Sequence, residues 1–81
     1  MKNLTKEQLL DLNPSLGSFL TLFEYFERTA DFEVGKKILS EYSRYIPAFI
    51  VVDMFGILSI FYSDKELNVL FEILFKSVNA S

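Results

Sequence analysis

The chain contains no cysteine and no histidine. The first absence removes disulfides and thiol nucleophiles. The second removes the usual general base and the imidazole found in most structural zinc and di-iron ligand sets. Glycine stands only at Gly17, Gly35 and Gly56, so no glycine-rich loop is available to cradle a phosphate. Charge of either sign is modest. The net charge of −3 supplies neither the basic field that phosphate binding requires nor the carboxylate density of a nucleic-acid mimic. No catalytic residue, metal ligand or cofactor site is expected from this inventory, and the reading is of a protein that is not an enzyme. Glu24, Glu27 and Asp31 form one acidic ridge at helical spacing, but it reads as a solvated face, with Arg28 placed to pair with Glu24.

With 81 residues and no covalent or metal staple, a single domain over 1–81 must be held by packing alone. Nine phenylalanines and four tyrosines provide large rings for it. The most apolar segment runs from Tyr45 to Ser63, where the only ionisable group besides tyrosine hydroxyls is Asp53. Such a stretch has three hosts: its own helical core, a partner protein or the edge of a bilayer.

The punctuation is that of a helical protein. Thr5 and Gln8 have the spacing of a capping box, opening a short helix to Leu12. Asn13-Pro14 is read as the N-cap and first residue of a second helix with Leu16, Phe19, Leu20, Phe23, Phe26 and Ala30 inward. Asp31 caps a third, whose stripe is Val34, Ile38, Leu39, Tyr42, Tyr45 and Ile46, with Glu33 placed to pair with Lys37. Pro47 interrupts the chain and biases Ile46 away from helical geometry. The apolar segment is then a fourth helix, because it lacks the turn chemistry that two strands would need. A second capping box at Ser63 and Glu66 opens a fifth helix with Leu67, Leu70, Phe71, Leu74 and Val78 inward. The predicted fold is therefore all-α: four to five short helices around a very apolar central helix, with dimerisation expected.

Asp53 shares a strip with Gly56 and Ser59. It marks either a surface position, with Gly56 and Ser59 admitting a neighbouring helix, or a buried carboxylate served by Arg44, Lys36 or a partner's base. Lys36, Lys37 and Arg44 are interleaved with Glu33 and Glu41, which argues against a nucleic-acid partner and leaves a small DNA-binding regulator as a minor reading. The segment Ile46–Tyr62 approaches the length of a membrane span. However, Asp53 near its midpoint costs about 2.5 to 3.5 kcal/mol there, and Pro47 and Ser63 bound it as a soluble helix is bounded. Membrane contact is thus possible but not favoured. The polar start MKNLTKEQ is unlike a secretory signal, so a cytoplasmic location is expected.

Apolar residues beyond one stripe on the second, fourth and fifth helices predict an exposed contact patch and hence another protein as partner, with a homodimer expected because one copy can cover another. Tyr25, Tyr42, Tyr45 and Tyr62 are expected at its rim, with Arg44 and Asp53 as its charged members. In architecture alone the chain resembles small regulators, inhibitors or assembly chaperones encoded by bacteria or their phages, and bacteriocin immunity proteins are the membrane-facing comparison. The resemblance carries no residue-level correspondence.

Overall fold

In a computed structural model, which describes residues 4–79, the chain forms five α-helices and one 3-10 turn, with no strand among the described residues. The first three residues of the polar start, Met1 to Asn3, lie outside them. Helix α1 spans Lys6–Leu10, α2 Leu16–Thr29, α3 Phe32–Glu41, α4 Ala48–Phe61 and α5 Asp64–Asn79, and the 3-10 turn is Ser43–Tyr45.

The helix starts follow from side chains that satisfy free amides. At α1 the Gln8 N–H donates to Thr5 Oγ1 at 3.2 Å and the Thr5 N–H donates to Gln8 Oε1 at 2.9 Å. At α5 the Glu66 N–H donates to Ser63 Oγ at 3.3 Å and the Ser63 N–H donates to Glu66 Oε1 at 2.9 Å. Helix α2 begins later than the Asn13-Pro14 signal suggests. Its cap is Ser15, whose Oγ accepts from the Ser18 N–H at 3.1 Å while the Ser15 N–H donates to Ser18 Oγ at 3.0 Å. The Ser18 hydroxyl in turn donates to Asn13 O at 2.6 Å, which places Asn13 and Pro14 in the preceding turn. Ile46 is extended (φ −108°, ψ 119°) and Pro47 caps α4, as the steric effect of proline on its predecessor requires.

Helix α3 packs on each of the other four helices. It presents Val34, Ile38 and Leu39, all fully buried, and ends at Tyr42, also fully buried. Against them lie Leu9 of α1, Phe19, Leu22 and Phe26 of α2, Met54 and Leu58 of α4, and Leu70 of α5. The inward stripe of α2 is rotated relative to expectation. Leu22 is core, whereas Leu16 and Leu20 face outward, because Phe19, Leu22 and Phe26 form the i, i+3, i+7 line that meets α3. On α5 only Leu70 is fully enclosed; Phe71 and Val78, expected inward, are exposed. The apolar segment expected at the centre of the bundle forms α4, which within this chain is packed on one side only.

Long-range polar ties are few. Tyr42 donates its hydroxyl to Ser18 Oγ at 3.1 Å, joining the end of α3 to the start of α2. Tyr62 donates to Ala30 O at 2.8 Å. Ala30 itself caps α2 in the left-handed region (φ 52°, ψ 34°), where glycine is the usual occupant, so the Tyr62 bond holds a turn that the backbone alone disfavours. Ser77 Oγ donates to Ser40 O at 2.8 Å and lies 2.9 Å from Ser43 Oγ, fastening α5 to the end of α3.

Candidate functional site

Helix α4 has no charged residue other than Asp53 and buries only Met54 and Leu58 fully. Its outer side carries Phe49, Val52 and Ile60, with Phe61 at its end. Helix α5 follows after the two-residue link Tyr62-Ser63 and adds Phe71, Phe75 and Val78 to the exposed surface. Phe55 of α4 and Phe71 of α5 meet with ring centroids 5.3 Å apart and planes tilted by 52°, so the two apolar surfaces are joined through an aromatic contact.

Two shallow grooves mark this junction. One, of about 530 Å³, runs between the helices and is lined by Val51, Val52, Phe55, Asp64, Leu67, Asn68 and Phe71. The other, of about 560 Å³, continues along α5 and is lined by Asn68, Phe71, Glu72, Phe75 and Lys76. They share Asn68 and Phe71, so the apolar floor is continuous and its border is polar and charged. An apolar centre with a polar rim is the general anatomy of a protein contact surface.

The six residues singled out from the sequence do not converge on this face. Tyr42 is fully buried, with its ring 6.4 Å from Phe19 and its hydroxyl bonded to Ser18, so it is a core residue and not a rim residue. Tyr62 is half-buried, packed on Phe32 at 5.3 Å and bonded to Ala30 O. Tyr25 is half-buried on α2 beneath the Arg28 guanidinium, which sits 5.6 Å from the ring centroid. Tyr45 and Arg44 are exposed in the 3-10 turn, and Arg44 borders a third depression of about 260 Å³ with Glu41, Ser43 and Val78.

Asp53 is exposed on α4, and no described residue pairs with it, Arg44 and Lys36 included. The surface reading therefore describes its position. A Cβ built on Gly56 would meet nothing within 4 Å, so the close helix approach expected there is absent among the described residues. The close approach lies instead at Gly35, where a Cβ would fall 2.9 Å from Phe26 Cε1.

Two ion pairs are formed among the described residues. Lys6 Nζ lies 3.0 Å from Asp31 Oδ2, and the hydrogen bond to this carboxylate holds the Lys6 amine above its usual pKa. Asp31 also caps α3, accepting from the Val34 N–H at 3.1 Å. Lys37 pairs with Glu41 at 2.9 Å, which takes it away from the expected Glu33 partner. The expected Glu24–Arg28 pair is replaced by the stacking of Arg28 on Tyr25. No group of His, Cys, Asp and Glu among the described residues is placed to hold a metal ion. No described helix is long and apolar enough to cross a membrane.

The stripe that the structure brings forward is Asn68, Phe71, Glu72, Phe75 and Lys76. The signal for it was in the chain, since α5 has apolar residues on two sides: Leu67, Leu70 and Leu74 on one, Phe71, Phe75 and Val78 beside it. Comparisons with models of protein families, with curated proteins and with solved structures find no match.

Proposed function

We propose that this chain is a small non-enzymatic protein–protein interaction module, of the kind that regulates, inhibits or chaperones another protein, and that its contact surface is the apolar face of α4 and α5. One observation carries the reading: Val52, Phe71 and Phe75 are exposed along adjoining grooves whose border is polar and charged. Apolar surface of this kind has a free-energy cost in water that a partner relieves, whereas exposed single hydrophobes scattered over a protein require no partner.

A membrane-associated, immunity-type bundle is the competing reading, and it draws on Phe49, Ile60 and Phe61 on α4, which could enter the interfacial region of a bilayer. Affinity purification of the tagged full chain from its native host, paired with the doubly substituted Phe71→Ser/Phe75→Ser chain, separates the two. The proposal requires a stoichiometric protein, a further copy included, that is retained by the wild type and lost by the variant at unchanged helicity. Retention by both forms, or co-sedimentation with lipid vesicles in place of a protein, would remove it.

A further inference from the structure

We infer that the occupant of the α5 groove is a second copy of this chain, docked antiparallel about a twofold axis that crosses α5 at the height of Ile73 and Leu74. The inference rests on the α4–α5 contact surface proposed above and names its partner.

Charge is arranged for it. Phe71 and Phe75 stand one turn apart along the groove, and Glu72 and Lys76 stand one turn apart on the same flank of it. Both charged residues are exposed, and neither joins an ion pair among the described residues. A twofold axis perpendicular to the helix reverses chain direction but keeps each flank of α5 facing the same flank of its copy. Phe71 then lies over Phe75 of the second copy, and Glu72 lies opposite Lys76 of the second copy, twice over. The midpoint of the phenylalanine pair is Ile73 and that of the charged pair is Leu74. One axis between them therefore serves both pairs with a mismatch of one residue, about 1.5 Å of helical rise. Asn68 and Asn79 lie at equal distances from that axis and meet across the ends of the stripe. A parallel arrangement, with the axis along the helix, would instead put the Glu72–Lys76 flanks of the two copies on opposite sides of the interface and leave all four charges without a partner.

The area is also of the right size. Phe71 is 61% exposed, Phe75 70%, Val52 69% and Val78 58%. Taking a phenylalanine as about 200 Å² and a valine as about 150 Å², these four side chains offer roughly 450 Å² of apolar surface. A stable interface takes about 800 Å² from each partner, somewhat more than half of it apolar.

The test is sedimentation equilibrium of the full chain and of charge-reversed variants, with helicity followed by circular dichroism. The wild type is expected to be a dimer at concentrations of about 100 μM. Glu72→Lys and Lys76→Glu, each placing two like-charged pairs in the interface, are each expected to weaken self-association about tenfold. An equimolar mixture of the two variants restores opposite charge at both contacts, and so does the double reversal in one chain; both are expected to recover the wild-type association. Phe75→Ala is expected to weaken it about 100-fold or more without loss of helicity, since the ring is not in the core.

A wild-type chain that stays monomeric, or single variants that are not rescued by mixing, overturns the antiparallel dimer. Such a monomer, if it still captures a different protein in a manner that depends on Phe71 and Phe75, leaves the proposed function standing. Loss of that dependence as well removes both.

Discussion

Helices α3 and α4 are built from opposite materials and are buried in the opposite order. Helix α3 carries Glu33, Lys36, Lys37 and Glu41 in ten residues, yet Val34, Gly35, Ile38 and Leu39 are buried and it touches each of the other helices. Helix α4 has one charged residue in fourteen, and only Met54 and Leu58 are fully enclosed. Among the described residues its side chains make no hydrogen bond outside their own helix; the one that is made runs from Ser59 Oγ to Gly56 O at 2.8 Å. Mean apolarity thus says little about which helix occupies the hub. What counts is whether apolar residues are gathered on one side, so that the other side can face water while the first is enclosed. An evenly apolar helix has no such preference, and a chain this short has too few neighbours to surround it.

The comparison can be broken most directly in the core. Phe26 on α2 is fully buried beneath Gly35. Phe26→Ala is expected to cost about 3 to 5 kcal/mol of unfolding free energy in urea titration, whereas Phe49→Ala on the outer side of α4 should stay within about 0.5 kcal/mol of wild type under the same dilute conditions. Equal losses would mean that α4 is enclosed after all.

The glycines sharpen the contrast. At Gly35 an added methyl group meets the Phe26 ring, so Gly35→Ala is expected to destabilise by about 1 to 2 kcal/mol, overpacking outweighing the gain in helix propensity. At Gly56 the space is open and the helix interior gains from alanine, so Gly56→Ala should stabilise by about 0.5 to 1 kcal/mol, read as a rise in melting temperature. A destabilised Gly56→Ala would reveal a close neighbour of α4.

A smaller effect is expected at the tyrosines. Tyr42→Phe leaves the buried ring in place and removes its bond to Ser18, for a loss of about 1 kcal/mol in denaturant titration; Tyr45→Phe, in the exposed 3-10 turn, should be neutral. The smallest effect belongs to Lys6. Its amine is held above the ordinary lysine value by Asp31, so more of it stays protonated in the folded chain than in the unfolded one at alkaline pH. The stability this contributes is fully present below the unfolded pKa of about 10.4 and is lost as pH rises through the higher folded value. The melting-temperature difference between wild type and Lys6→Met should therefore be flat through neutral pH and shrink only above about pH 10.

Much of the fold was legible because its signals are local. The capping boxes at Thr5 and Ser63 and the cap at Asp31 join residues three apart, and the Pro47 break acts on the residue beside it, so none depends on the rest of the molecule. The start of α2 was misplaced because two capping signals compete within three residues, and the reciprocal Ser15–Ser18 pair satisfies more amides than Asn13 can. The candidate site was less legible. Of the six residues expected to mark it, Tyr42 lies in the core and the other five do not line the α4–α5 grooves. A tyrosine with a polar tip suits a rim, but it suits a core equally well once a serine such as Ser18 stands within reach of its hydroxyl.

By itself, the sequence determined that this protein is helical, where most of its helices begin and end, and that it has more apolar surface than one stripe per helix can use. Only the tertiary structure decided which surplus is buried: Leu22 went to the core, while Leu16, Leu20, Phe71 and Val78 went to the surface. The physical reason is that helical periodicity fixes which side chains share a face, whereas the rotation of that face toward the hub is set by the volumes of the neighbours packed against it. On α3 the patterning left one choice of inward face; on α4 and α5 it left several, and the packing of Met54, Leu58 and Leu70 against α3 selected among them.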